Sequence, residues 1–139
     1  MRDGSRLLGI AKKSGTLIIG ADSVGAAVRS GKARVILSAA DASDRSKRQA
    51  QALTVSGNIL HVIMPFMKYE LGALLGRGAP GMMAITDIGI ASAFLSALAG
   101  QNAAEYGDAA TILEKKAQRA LQRKKAQKQG DTRMRRTKI

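Results

Sequence analysis

Four short apolar runs, each set between stretches of helical spacing, restrict this chain more than any other feature. They are Leu17-Ile18-Ile19, Arg34 to Leu37, Ile59 to Met64 and Met82 to Ile85. Runs of three to six residues bounded by turn residues read as buried strands rather than as helices. Between them the apolar positions recur three and four apart. Leu7, Ile10 and Ala11 share one helix face, ended by Lys12, Lys13, Ser14 and Gly15. Val24 and Val28 belong to a helix that Asp22 or Ser23 can cap and Gly31 stops. Ser46 and Gln49 have capping-box spacing for a helix to about Val55. Met67 to Leu75 is a helix closed by Gly76, and Ala91, Phe94, Leu95 and Leu98 mark another. Strands alternating with helices require crossover connections, with helices on both faces of a small sheet: an α/β/α sandwich.

The residues available to fill that sandwich limit its chemistry. The chain is 45% hydrophobic but 3% aromatic, so its core is aliphatic, with Met64, Met67, Met82 and Met83 as adaptable filler. Base stacking on aromatic platforms is nearly excluded as a binding mode. With no cysteine there is no disulfide framework, zinc ribbon or thiol nucleophile. The one histidine, His61, sits in a strand pattern, where a side chain emerging beneath a helix is expected rather than a ligand. No apolar run approaches the ~20 residues of a membrane span. Met1 to Arg6 also lacks the apolar core of a signal peptide. A cytoplasmic protein with no membrane partner is the expectation.

Charge divides the chain unevenly. Lys and Arg number 23 against 10 Asp and Glu, a net charge of +13. Residues 1–100 hold 12 basic and 6 acidic residues, and residues 101–139 hold 11 and 4. A boundary is therefore expected at Gly100-Gln101-Asn102, between a domain (1–100) and a basic tail (101–139). In the tail Leu113, Ala117, Ala120 and Leu121 form a narrow stripe, with Lys115, Lys116, Arg119 and Arg123 gathered on another face. A helix to about Gln127 followed by a disordered basic end is expected. Such an excess favours a polyanionic partner, and the tail lacks the bulky apolar anchors that a membrane surface would require.

No constellation points to catalysis. Gly76-Arg77-Gly78-Ala79-Pro80-Gly81 lies between a helix and a strand, the reverse of a Walker phosphate loop, and has no Lys-Ser/Thr pair. It reads as a surface turn or as a loop approaching an RNA backbone. Asp41, Asp44 and Asp87 fall where capping residues are favoured. No His or Cys pairs with them to build a nucleophile and base. No enzymatic activity, cofactor, metal or small-molecule substrate is expected. Lys12, Lys13, Lys32, Arg34, Arg45, Lys47, Arg48 and Arg77 cluster at helix ends and loops, as a solvated face or as a phosphate-contacting patch.

Leu7 to Gly15 with Ile19-Gly20 begins a pattern that continues through Gly31 to Leu37 and Asp41-Ala42-Ser43. Met64-Pro65, Glu70-Leu71-Gly72, Gly76, Ala84 to Asp87, Gly89 and Ala91 extend it. Over residues 4–99 the chain resembles the ribosomal L-seven-A-e (L-thirty-e type) family of kink-turn RNA binders, specifically its small bacterial branch. The resemblance implies a mixed four-stranded sheet in a three-layer α/β/α sandwich that binds structured RNA, ribosomal or kink-turn-like, as a monomeric ribosomal-protein-like factor. It places RNA contacts at Gly20, Ala21, Asp22 and Ser23 and at the loop from Arg77 to Met82, with Arg77, Gly78 and Ala79 at its start; Lys12, Lys13 and Lys32 are expected to add charge by their positions at helix ends and loops. A protein-interaction module, or the recognition subunit of an RNA-modifying enzyme, are the alternatives that this fold family offers. Where kink-turn binders carry Asn-Glu and, three residues on, Lys, this chain has Asp22-Ser23 and Ala26. Asp accepts hydrogen bonds but does not donate them as Asn does.

Overall fold

The computed structural model describes residues 4–76, 78 and 80–137 of the chain. The four apolar runs are its four strands: β1 (Leu17–Ile19), β2 (Val35–Ser38), β3 (Leu60–Ile63) and β4 (Met82–Ile85). They form one sheet in the order β1-β4-β2-β3. β4 runs antiparallel to both β1 and β2, whereas β3 is parallel to β2, so the sheet is mixed. Among the described residues six helices surround it: α1 (Ser5–Lys13), α2 (Ala21–Arg29), α3 (Asp44–Gly57), α4 (Lys68–Leu75), α5 (Ile88–Gln101) and α6 (Ala103–Thr137).

Strand alternation builds the two cores. Val35 and Leu37 of β2 and Met83 and Ile85 of β4 point to one face, where α1, α4, α5 and α6 deliver Leu8, Leu71, Leu75, Phe94, Leu95 and Leu113. Ile36, Met82 and Ala84 point to the other, beneath Val24 and Val28 of α2 and Ala50 of α3. This period of two is what a sheet covered on both sides requires. The core is largely aliphatic, with Phe66, Phe94 and Tyr106 as its aromatic members; Met64, Met82 and Met83 are buried in it, while Met67 is 42% exposed.

Two local details differ from the expected pattern. α2 is not capped by Asp22 or Ser23: its N-cap is Gly20, at φ 99 and ψ 148, which places Asp22 and Ser23 inside the first turn. Only glycine takes that backbone conformation readily. α3 begins one turn early because Ser43, not Ser46, is its cap, accepting the Ser46 amide at 3.1 Å.

α6 packs more deeply than a charge step at residue 100 suggests. Tyr106, Ala110 and Leu113 lie at i, i+4 and i+7, one helical face, and are part of the larger core. The Tyr106 hydroxyl donates to the Ile63 carbonyl at 2.8 Å. α5 and α6 thus form a helical hairpin whose second arm starts at the C-terminal end of β3. Leu121, farther along, is 55% exposed.

Candidate nucleic-acid interface

The sheet topology gathers four connections at one end. β1, β2 and β3 end there and β4 begins there. The Gly20 amide donates to the Met82 carbonyl at 3.0 Å and the Ala39 amide to the Gly81 carbonyl at 3.0 Å. Ala40 donates to Phe66 at 2.8 Å, and the Lys68 amide to Asp41 Oδ1 at 2.7 Å. A Cβ on Gly81 would sit 3.5 Å from Ser46 Oγ. The starts of α2, α3 and α4 therefore converge on the end of the glycine-rich loop. Helix starts carry unpaired amides and partial positive charge.

These three helix starts differ in how their amides are satisfied. Ser43 caps α3. At α4 Glu70 accepts from the Met67 amide at 3.0 Å and Asp41 from Lys68. No side chain caps α2. Its first residues Ala21, Asp22 and Ser23 are exposed, and nothing lies within 4 Å of the position a Cβ on Gly20 would take. The glycine is demanded by its dihedral angle, and the space above it is open. A groove of about 420 Å³ leads from Ala21 and Asp22 between α2 and α3 to Arg29 and Gln49. The first five residues of α3 add Arg45, Lys47 and Arg48, and α4 adds Lys68. This end combines open amides, cations and an adjacent glycine-rich loop, a surface suited to phosphate and base edges.

The expected contact residues divide by position. Gly20, Ala21, Asp22 and Ser23 lie together at this end, against the loop that contains Gly78. Arg77 and Ala79 lie outside the described residues. Lys12 is fastened at the loop's beginning, its Nζ donating to the Leu75 carbonyl, with exposed Lys13 beside it in the last turn of α1. Lys32 is elsewhere. It precedes Arg34, whose amide donates to Ile85 at 2.8 Å, at the opposite end of β4 from Met82. Four strand residues, about 10 Å of chain, separate those ends. The sequence reading did not single out Tyr69, 73% exposed in the first turn of α4. Its signal is a basic-aromatic pair, Lys68-Tyr69, three residues after the Pro65 strand stop.

The remaining polar groups serve the fold. Asp87 caps α5, accepting from Ile90 at 2.9 Å. His61 is half-buried with Nε2 2.8 Å from the Ser38 hydroxyl; burial first, then nearby Lys47, lowers its pKa. Among the described residues no three His, Asp or Glu side chains come together as a metal site. No helix among them is long and apolar enough to cross a membrane.

Comparison with known proteins agrees with this arrangement. A family model described as the ribosomal protein L7Ae/L30e/S12e/Gadd45 family matches residues 2–94. No curated protein matches the sequence. A solved protein of unknown function from Bacillus halodurans C superposes with a TM-score of 0.64 at 20% identity, over 70% of this chain and 98% of that one. At that identity the likeness shows a shared fold.

Proposed function

Since the chain belongs to the ribosomal protein L7Ae/L30e/S12e/Gadd45 family, whose members are generally non-enzymatic RNA binders, we propose that it recognises structured RNA through the uncapped start of α2. In this reading it is a monomeric, cytoplasmic, ribosomal-protein-like factor with no catalytic role, and its target is ribosomal or kink-turn-like RNA. The observation that carries the reading is the contrast at one end of the sheet: α3 and α4 have side-chain acceptors for their first amides, and α2 has none. Orphan amides beside a glycine-rich loop give a phosphate or a base edge a place to dock without displacing a cap. Surrounding Lys and Arg supply affinity, and the two loops supply shape.

Ala21→Asp tests this directly. A carboxylate in the first turn favours the helix dipole, by about 0.3–1 kcal/mol, while opposing a phosphate at the same place. The expected result is an unchanged or higher melting temperature together with at least tenfold weaker binding of a kink-turn RNA. Unchanged affinity would mean that α2 does not face the RNA. A wild-type chain that binds no RNA but captures a protein partner would favour the interaction-module alternative.

A further inference from the structure

A second basic concavity lies at the other end of the sheet. α6 runs back past the core and, with the turn after α2 and the end of α3, encloses a cleft of about 380 Å³. Its rim carries Arg34 from the start of β2 and Lys116, Arg119 and Arg123 from α6. The α6 residues fall at i, i+3 and i+7, so one helical face turns all three toward the cleft. No acidic residue lines it, and its floor is apolar, including Val28 and Ile59. All four cationic side chains are exposed. Among the described residues none of them has an ion-pair or hydrogen-bond partner, and carbonyls at the nearby C-terminal ends of α2 and α3 are taken by backbone amides: Ala26 by Ser30, Val28 by Gly31 and Thr54 by Ile59.

We propose that this cleft binds the phosphodiester backbone of a second RNA segment. Four like charges around a concave surface are mutually repulsive and call for an anion. Three are arginines, whose planar forks match phosphate oxygens in pairs. The volume lies in the range of small-ligand sites, enough for one nucleotide, and the apolar floor suits its sugar and base edge. The chain's own residues 129–139 are an unsuitable occupant, because they hold four basic residues and one acidic residue. The proposal rests on the RNA-binding reading and extends it: the α2 start and this cleft lie beyond opposite ends of β4, so one protein would hold two RNA segments apart.

The test uses the full chain and a single-stranded uridine 12-mer, which lacks any fold for the α2 end to recognise. The triple variant Arg34→Gln, Arg119→Gln, Arg123→Gln is compared with an equal charge loss outside the cleft, Lys115→Gln, Lys124→Gln, Lys125→Gln. At about 0.7 per phosphate for single strands, the cleft variant should flatten the slope of log affinity against log salt by about 2. The control variant should flatten it by less than half as much. Methyl NMR signals of Val28 and Ile59 should shift on adding the oligonucleotide to the wild type and not to the cleft variant. Equal effects of the two variants, or unmoved methyl signals, would overturn the cleft while leaving RNA binding at α2 intact. Uridine monophosphate shifting the same signals at the same concentration would assign the cleft to a free nucleotide instead. No binding of either the oligonucleotide or a kink-turn RNA by the wild type would overturn both readings together.

Discussion

The Tyr106 hydroxyl is bonded to the carbonyl of Ile63 at 2.8 Å, which fastens the start of α6 to the end of an edge strand. Tyr106 is 7% exposed and belongs to the same core as Leu113. The highly charged C-terminal third of the chain therefore opens with a face that belongs to the core, and most of its charge follows that face in sequence. The two are separable by experiment.

Truncation after Gly100 removes Tyr106, Ala110 and Leu113 and should unfold or severely weaken the domain; loss of a buried Leu side chain alone costs about 2–5 kcal/mol. Truncation after Lys124 keeps them and removes six basic residues and one acidic residue. That shorter chain should retain its melting temperature within a few degrees. It should bind specific and random RNA more weakly by similar factors, because charge is lost without shape recognition. Thermal melts with paired RNA titrations decide the matter, and a selective loss for the specific RNA would place recognition in the tail.

Asp22 stands in the first turn of the uncapped helix, where its charge helps the helix but opposes a phosphate. Asp22→Asn should tighten kink-turn RNA binding about two- to fivefold, the scale of one Coulomb interaction near 4–8 Å in a watery environment, and should lower stability slightly. Weaker RNA binding would mean that the carboxylate accepts a base donor that the amide fails to replace.

Gly57 ends α3 where a Cβ would lie 2.6 Å from Val28 Cγ1 and 3.0 Å from Ile59 Cδ1. Close approach, rather than backbone conformation, requires glycine here. Gly57→Ala should force α2 and α3 apart at a cost of about 1–3 kcal/mol, read as a lower denaturation midpoint with an unchanged slope. An unchanged midpoint would show that Val28 yields at no cost.

His61 supplies a pH test. Burial, with Lys47 as the smaller cause, lowers its folded pKa below the ordinary 6.5. The unfolded chain then takes up the proton first. The stabilisation is complete above about pH 6.5 and declines as pH falls below that value toward the folded pKa. His61→Gln keeps a polar partner for Ser38 but does not titrate, so the drop in melting temperature between pH 7.5 and 5.5 should be smaller than in the wild type. Parallel pH profiles for the two proteins would contradict the assignment.

Much of this was legible from patterning. Met82–Ile85 and Leu17–Ile19 match their apolar runs residue for residue because turn residues bound both, and Asp87 announced the start of α5. The positions of the cations were not legible: Lys32 follows α2, whose nine residues carry the chain from Gly20 at one end of the sheet to Arg34 at the other, so it stands away from the expected contacts at Ala21 to Ser23. The uncapped α2 was also hidden, since Asp22 and Ser23 are good capping residues by type. What displaced them was the dihedral angle of Gly20, a property that no spacing records. The inward face of α6 was legible only at Leu113: the core continues from it toward Ala110 and Tyr106 rather than toward Leu121, which is 55% exposed.

The two tyrosines have a practical consequence in a chain without tryptophan. Tyr69 is exposed in the first turn of α4, at the end of the sheet where RNA is expected, and Tyr106 is buried on the inward face of α6. Intrinsic ultraviolet emission therefore comes from two optical reporters in different surroundings, one open to dissolved quenchers and one shielded. Tyr69→Phe leaves the shielded reporter alone to follow docking of the helical hairpin. Tyr106→Phe leaves the open one to follow events at the RNA end, so each process can be watched without attaching a dye.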